Sequence, residues 1–474
     1  MLRRINAPNK IRKPEGIRIS DANFPAPFVS GLEYATPARG TWNIVHTGML
    51  IPGAHEIFVC AAGCLRGVVL TAAEMNAAER FSSVEIKENN IFEGDLEELL
   101  IEGVSHIIET LPKRPPAVLV YTSCVHHFAG CDLDMIYQEL NDRFPDIDIT
   151  DCYMNPIMRK SGMTPDEIMR SRLYMLLHER EKNEKSVAII GNDLPTREES
   201  ELMTMLRDAG LKIHEITSCR TYDEYQEMAE ANFYISYNPA AVAGGEMLEE
   251  RLGGTHLYVP VSYDYDEIDA GFAKIADVLG IEVPDFSAKR VSCEAVAKEA
   301  LDVVGDVPIS IDYSFSTRVM SLARFLLDRG FNVQKIYIDA VTKDDREDFM
   351  YLKEKYPDLL LYSTVHASMR FMANKEKTEV LAIGQKAAYF ENTDHFVNVV
   401  QGGGMFGYDT VMHTMELIKD AYLEAKDMRT LIQIKGMGSE EICGCSGGCG
   451  CSDMGGSCGC SGSAGELAVS GGEC

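Results

Sequence analysis

His55-Glu56-Ile57-Phe58-Val59-Cys60-Ala61-Ala62-Gly63-Cys64 and Ala117-Val118-Leu119-Val120-Tyr121-Thr122-Ser123-Cys124 decide the reading of this chain. In each, a short apolar run rich in β-branched residues stops and a thiol follows, beside small residues. Such runs predict buried strands, with Cys60, Cys64 and Cys124 at their carboxyl ends. In open α/β sheets that edge is where ligands sit. Three soft thiolates converging there suit iron–sulfur or zinc chemistry. The plainer reading of Cys60 and Cys64 is two structural core cysteines, which are common.

Outward from these stretches the same βα plan recurs. Strands are expected at 56–60, 117–123 and 147–150, with helices at 65–80, 95–111, 132–143 and 165–180. Lys182-Asn183-Glu184-Lys185 reads as a linker. A second series opens with Ser186-Val187-Ala188-Ile189-Ile190-Gly191-Asn192, and a third with Ile309-Ser310-Ile311. Gly402-Gly403-Gly404 introduces a last helix near 408–424. Repeated βα units imply parallel sheets with right-handed crossovers. The expected fold is α/β, with three Rossmann-like parallel-sheet domains around a central cleft. The expected divisions are an N-terminal arm (1–30), a cluster-binding domain (31–185), two further Rossmann-like domains (186–305 and 306–435) and a Cys/Gly-rich tail (436–474). The tail has seven cysteines and no Lys or Arg, so it is expected to be disordered unless metal orders it.

The formal net charge of −28 argues against a nucleic-acid partner, because phosphate binding needs a basic footprint. An acidic surface suits solubility or docking to a basic partner. No apolar run is long enough to span a bilayer. Met1-Leu2-Arg3-Arg4-Ile5 is followed by no apolar segment, so no secretory signal is expected and the cytoplasm is the expected compartment. Fourteen cysteines in a reducing compartment point to metal or redox work rather than disulfides. Cys131 and Cys152 also fall near strand ends or turns; Cys219 and Cys293 stand alone. The tail pattern Cys443-x-Cys445-x3-Cys449-x-Cys451-x6-Cys458-x-Cys460 can wrap zinc, copper(I) or iron, or be only an oxidation-sensitive tail. No nucleotide-binding G-x-x-x-x-G-K-[ST] loop occurs, so the chain is not expected to hydrolyse nucleotide itself.

Taken in order, these residues resemble the nitrogenase component 1 family over roughly residues 31–425. The anchors are Ile51-Pro52-Gly53-Ala54-His55 through Gly63-Cys64, Asn90-Ile91-Phe92-Glu93-Gly94-Asp95, and Thr122-Ser123-Cys124 through Gly130-Cys131-Asp132-Leu133. Ile189-Ile190-Gly191-Asn192 and Glu246-Met247-Leu248-Glu249-Glu250-Arg251 followed by Gly253 complete them. The resemblance implies a three-domain oxidoreductase subunit paired with a homologous subunit in a hetero- or homo-oligomer. It implies an iron–sulfur cluster at the subunit interface, either four-iron or P-cluster-like, held by cysteines of both chains. A separate ATP-hydrolysing iron protein would dock there and deliver electrons for a substrate or cofactor in the interdomain cleft. Cys64 and Cys124 match two interface ligands, and Phe92 matches an aromatic near the docking surface.

The family's first cysteine has no counterpart in Glu33-Tyr34-Ala35-Thr36-Pro37-Ala38-Arg39-Gly40. Cys60 is the expected third ligand and Glu33 the alternative. The residues that hold the nitrogen-reducing cofactor are missing as well: Tyr234-Ile235-Ser236-Tyr237-Asn238-Pro239 has no cysteine, and Gly404-Met405-Phe406-Gly407-Tyr408 no histidine. Dinitrogen reduction is therefore disfavoured, and a different second metallocofactor or an organic substrate is left open. Tyr237, Phe406 and Tyr408 are expected to line the cleft. Two other functions compete: a scaffold for metallocofactor assembly, and a metal-binding or storage protein acting through its tail.

Overall fold

The structure is a computed structural model that describes residues 14–34, 36–38, 43–155, 163–372 and 376–434. Its fourteen strands are β1 (Ile17–Arg18), β2 (His55–Cys60), β3 (Phe81–Glu85), β4 (Ala117–Ser123), β5 (Asp148–Met154), β6 (Asn183–Ile190), β7 (Lys212–Glu215), β8 (Ala231–Ser236), β9 (Thr255–Tyr258), β10 (Ile309–Asp312), β11 (Val333–Tyr337), β12 (Leu360–Tyr362), β13 (Leu381–Ile383) and β14 (Phe396–Val397). They form three sheets, ordered β3-β2-β4-β5, β7-β6-β8-β9 and β1-β12-β11-β10-β13-β14. Every pairing is parallel except β1 with β12. Parallel strands need helical crossovers, and helices cover both faces. That is why β2 and β4 are buried at every position.

Alternation along β2 sorts its side chains. Ile57 and Val59 enter one core, with Leu100, Val104 and Leu140. Phe58 and Cys60 enter another, which runs on into the second unit through Ala188, Ile190 and Tyr234. A third core joins the second and third units, with Val187, Ile189, Ile309, Ile311 and Phe406. Buried ion pairs cross the same boundaries. Arg170 has no exposed side-chain surface; it donates to Gly191 O at 2.7 Å and to Asp193 at 2.6 Å. Arg318 reaches Asp345 at 2.9 Å, Asp348 at 3.0 Å and Glu267 at 2.9 Å. Removing one partner of such a pair strands a buried charge, at a cost of about 3–5 kcal/mol.

Several elements differ from expectation, among them the helix expected over 165–180, which ends at Arg172, and the helix Ser287–Val304, which the sequence reading lacks. Asn183–Lys185, expected as linker, already belong to β6; their charges are tolerated because this end of the strand is exposed. The helix expected to reach residue 80 ends at Glu74, and Phe81–Glu85 forms edge strand β3. The described part of the N-terminal arm lies along the third unit, where Ile17 pairs with Leu361 and Ile19 N donates to Leu359 O at 2.8 Å; just beyond the arm, Tyr34 N donates to Val365 O at 2.6 Å. The Cys/Gly-rich tail lies outside the described residues.

Candidate metal centre

The first sheet begins at β2, steps to β3 on one side, and returns to place β4 on the other. The crevice outside the carboxyl ends of β2 and β4 is thus the topological switch point, where ligands bind in open α/β sheets. Cys60 ends β2, Cys64 lies in the first turn of the helix Ala62–Glu74, and Cys124 begins the helix Cys124–Ala129. Two neighbouring strand ends therefore bring the three sequence-predicted thiols to one edge.

Their environments differ. Cys60 is buried, Cys124 half-buried and Cys64 exposed. Burial pushes the Cys60 thiol up to about 12, and Cys64 and Cys124 lie close enough to add to that shift. Without a metal, Cys60 is a neutral thiol at neutral pH; a bound cation would draw off its proton. Below Cys60, the Phe58 ring stacks on Tyr121 at 4.1 Å and on Phe81 at 5.1 Å. This aromatic layer spans β3, β2 and β4 and keeps water from the floor of the site. The approach to β2 is fixed by Arg80, which donates to the carbonyls of Met49, Ile51 and Ala54 at 3.2, 2.6 and 2.9 Å.

The site opens outward. A side chain added at Gly63 or Gly67 would meet no atom of this chain. On the elements that follow β2, β3 and β4, Phe92 is 85% exposed, Phe128 73%, Leu70 46% and Val69 42%. Phe92 follows β3 in the short helix Glu88–Glu93, stopped by Gly94 in the left-handed region. Phe128 was not singled out from sequence. Its signal is an aromatic within a six-residue helix, too short to bury it. Leu70 and Val69 share the helix of Cys64, Phe128 the helix of Cys124, and exposed apolar side chains of this kind suit an interaction surface.

Among the described residues, no three His, Cys, Asp or Glu side chains are placed to hold a single metal ion. The donor chemistry nonetheless fits an iron–sulfur cluster in part: three thiols at one edge, one of them exposed and one half-buried. Cys131 packs beside the other core of this sheet, near Glu97. Cys152 is buried in β5 against Tyr121 and Glu56, as a structural core cysteine would be. Glu33 forms an antiparallel bridge with His366 on the third unit. Cys219 donates to Glu215 O, and Cys293 to Tyr408 O.

The expected cleft is narrow. Where the second and third units meet there is a cavity of about 20 Å³, with Tyr237, Asn192, Asp193, Ser316 and Gly402–Gly404 in its wall. That volume accommodates roughly one water. Phe406 and Tyr408 do not line it. Phe406 packs behind Tyr237, with ring centroids 5.0 Å apart, and Tyr408 is buried with its hydroxyl donating to Asp269 at 2.6 Å. Both were drawn into the core because the glycine-rich turn that carries them folds inward between the units.

The family described as "Nitrogenase component 1 type Oxidoreductase" matches residues 45–421. The chain belongs to that family of oxidoreductases. Among solved structures, "Nitrogenase Cp1 at pH 6.5" superposes with a TM-score of 0.62 at 13% identity, covering 84% of this chain and 95% of that one. "Nitrogenase Cp1 at pH 5" gives 0.52 at 12% identity, covering 87% and 89%. At such identities the likeness concerns the fold. No curated protein matches by sequence. Among the described residues, no helix is long and apolar enough to cross a membrane.

Proposed function

We propose that this chain is a subunit of a nitrogenase-like reductase that holds an iron–sulfur cluster at a subunit interface through Cys60, Cys64 and Cys124. A homologous component 1 subunit supplies the remaining ligands, and an iron-protein-like ATPase delivers the electrons. The observation that carries the reading is the gathering of three soft thiols at the switch point of the first sheet, with Cys64 exposed and Cys124 half-buried. When bound, the cluster supplies low-potential electron storage.

The chain's own residues set the rest. Cys60 reaches up from the buried floor, while Cys64 and Cys124 come from two helix starts. Ala61, Ala62 and Gly63 are small enough to let a bulky inorganic group approach the backbone. Phe58 and Tyr121 exclude water from below, and Phe92 and Phe128 offer aromatic surface to the docking partner.

Electron paramagnetic resonance of the anaerobically purified, reduced protein tests this, together with iron and sulfide counts. Cys64→Ala and Cys124→Ala are each expected to abolish the signal. An unchanged signal in both would reject the site. Cluster transfer to an acceptor protein without ATP-dependent turnover would make the chain an assembly scaffold instead.

A further inference from the structure

The junction of the second and third units is filled by the chain itself. The turn Val400–Met405 is fastened on both sides: Gln401 N and Gly402 N donate to Ser314 O and Phe315 O at 2.7 Å each, and Arg197 N donates to Gly404 O at 3.0 Å. Gly402, Gly403 and Gly404 hold φ of 81°, 54° and 77°. At Gly404 an added Cβ would run into the carbonyl of Pro195, so the two backbones are in contact across the boundary.

Behind the turn lies a polar network, and beside it Asp193, in the cavity wall, keeps one buried carboxylate oxygen without a hydrogen-bond partner. The Asn192 amide donates to Tyr237 Oη and to Glu215 Oε1, each at 2.6 Å. Thr196 N donates to both Glu215 oxygens at 3.0 Å, and Thr196 Oγ1 lies 3.0 Å from Tyr237 Oη. Phe406 packs on Tyr237 at 5.0 Å and on Phe272 at 5.6 Å. Among the described residues, neither His nor Cys lines the cavity. Its volume of about 20 Å³ is more than tenfold below the ~300–1,000 Å³ of ordinary ligand pockets. Tyr237, Asn192 and the glycine turn stand at the carboxyl ends of the two facing sheets, where a ligand would otherwise lie.

We infer that this junction is a packed polar plug locking the second unit to the third, and that among the described residues the thiols form the one metal centre, with no second metallocofactor at the junction. The single-centre part rests on the proposed function; the plug stands on packing alone.

The test uses the full-length chain with its seven tail cysteines changed to serine, purified anaerobically from its native cells. Transition metals and acid-labile sulfide are counted, and the reduced-state resonance spectrum recorded. Adding Cys60→Ala, Cys64→Ala and Cys124→Ala together is expected to remove all bound metal. Part of the metal or of the resonance signal surviving in that variant would overturn the inference while leaving the thiol site standing; survival of all of it would overturn the thiol reading as well. If the parent chain holds no metal, the thiol reading falls and the plug stands. Thr317 also stands in the cavity wall, and Thr317→Trp, chosen to overfill it, is expected to leave metal count and spectrum unchanged. Loss of part of the metal from that variant, with its melting temperature retained, would also overturn the plug. Should Thr317→Trp not fold, the triple cysteine variant decides.

Discussion

Cys60 and Cys64 are four positions apart, yet one is a core residue and the other a surface one, and their chemistry should divide accordingly. In the metal-free chain, iodoacetamide at neutral pH is expected to alkylate Cys64 and spare Cys60. The Cys60 thiol, pushed up to about 12, yields thiolate only as pH approaches that value, or on unfolding. Peptide mass spectrometry reads the ratio, and equal labelling of the two would contradict the burial of Cys60. Glu215 makes a second residue-scale case. Burial outweighs its hydrogen-bond donors and carries its carboxyl from 4.5 up to about 7. The folded chain therefore holds this proton more tightly than the unfolded one. Its contribution falls as pH rises from about 4.5 to about 7 and is constant above, a loss of about 3 kcal/mol. Glu215→Gln should flatten that part of the stability profile, measured by thermal unfolding across the range. An identical slope in wild type and variant would refute it.

At the scale of elements, the glycine turn between the second and third units is the sharpest target. Gly404→Ala combines a φ of 77° with a collision against the Pro195 carbonyl. The expected loss is about 2 kcal/mol or more, seen as a lowered melting temperature. Elements also show what was legible beforehand. β2 and β4 announce themselves because a strand buried on both faces needs a continuous apolar centre, which residues 57–60 and 117–121 supply, although buried His55 and Glu56 open β2 and Thr122 and Ser123 close β4. β3 stayed hidden because it is an edge strand, and Ser82 and Ser83 break the apolar pattern. The helix Ser287–Val304 was missed although Cys293, Ala297, Ala300 and Val304 mark a buried stripe at helical spacing; small residues carry that signal weakly. At the site, the three thiols were visible because metal-binding side chains are rare and their strand contexts are local. The filling of the junction was not, since it depends on the Val400–Met405 turn meeting Asn192, Thr196 and Glu215 from a distant part of the chain. Phe92 was found by resemblance, whereas Phe128 became evident only from its exposure.

For the whole molecule, the acid-rich composition and the exposed Phe92 and Phe128 side chains would govern the approach of the proposed iron-protein partner. Phe92→Ala and Phe128→Ala are each expected to slow electron delivery by about tenfold, equivalent to about 1.4 kcal/mol of lost docking energy, without loss of iron. Stopped-flow reduction by the iron protein measures this; unchanged rates in both variants would move the docking surface elsewhere. With a net charge of −28, a partner with a basic face should dock more slowly as salt is added.

The pairing of Ile17–Arg18 with Leu360–Leu361 reaches across most of the polypeptide. During synthesis the ribosome emits that short strand long before its mate exists. The first and second units can mature while it waits, but the rim of the last sheet stays open until the final third of the message has been translated. Contacts of such long sequence separation form slowly. Completion of that rim is thus a natural last event in maturation, and until then the bare strand edge is the place where a chaperone would be of most use.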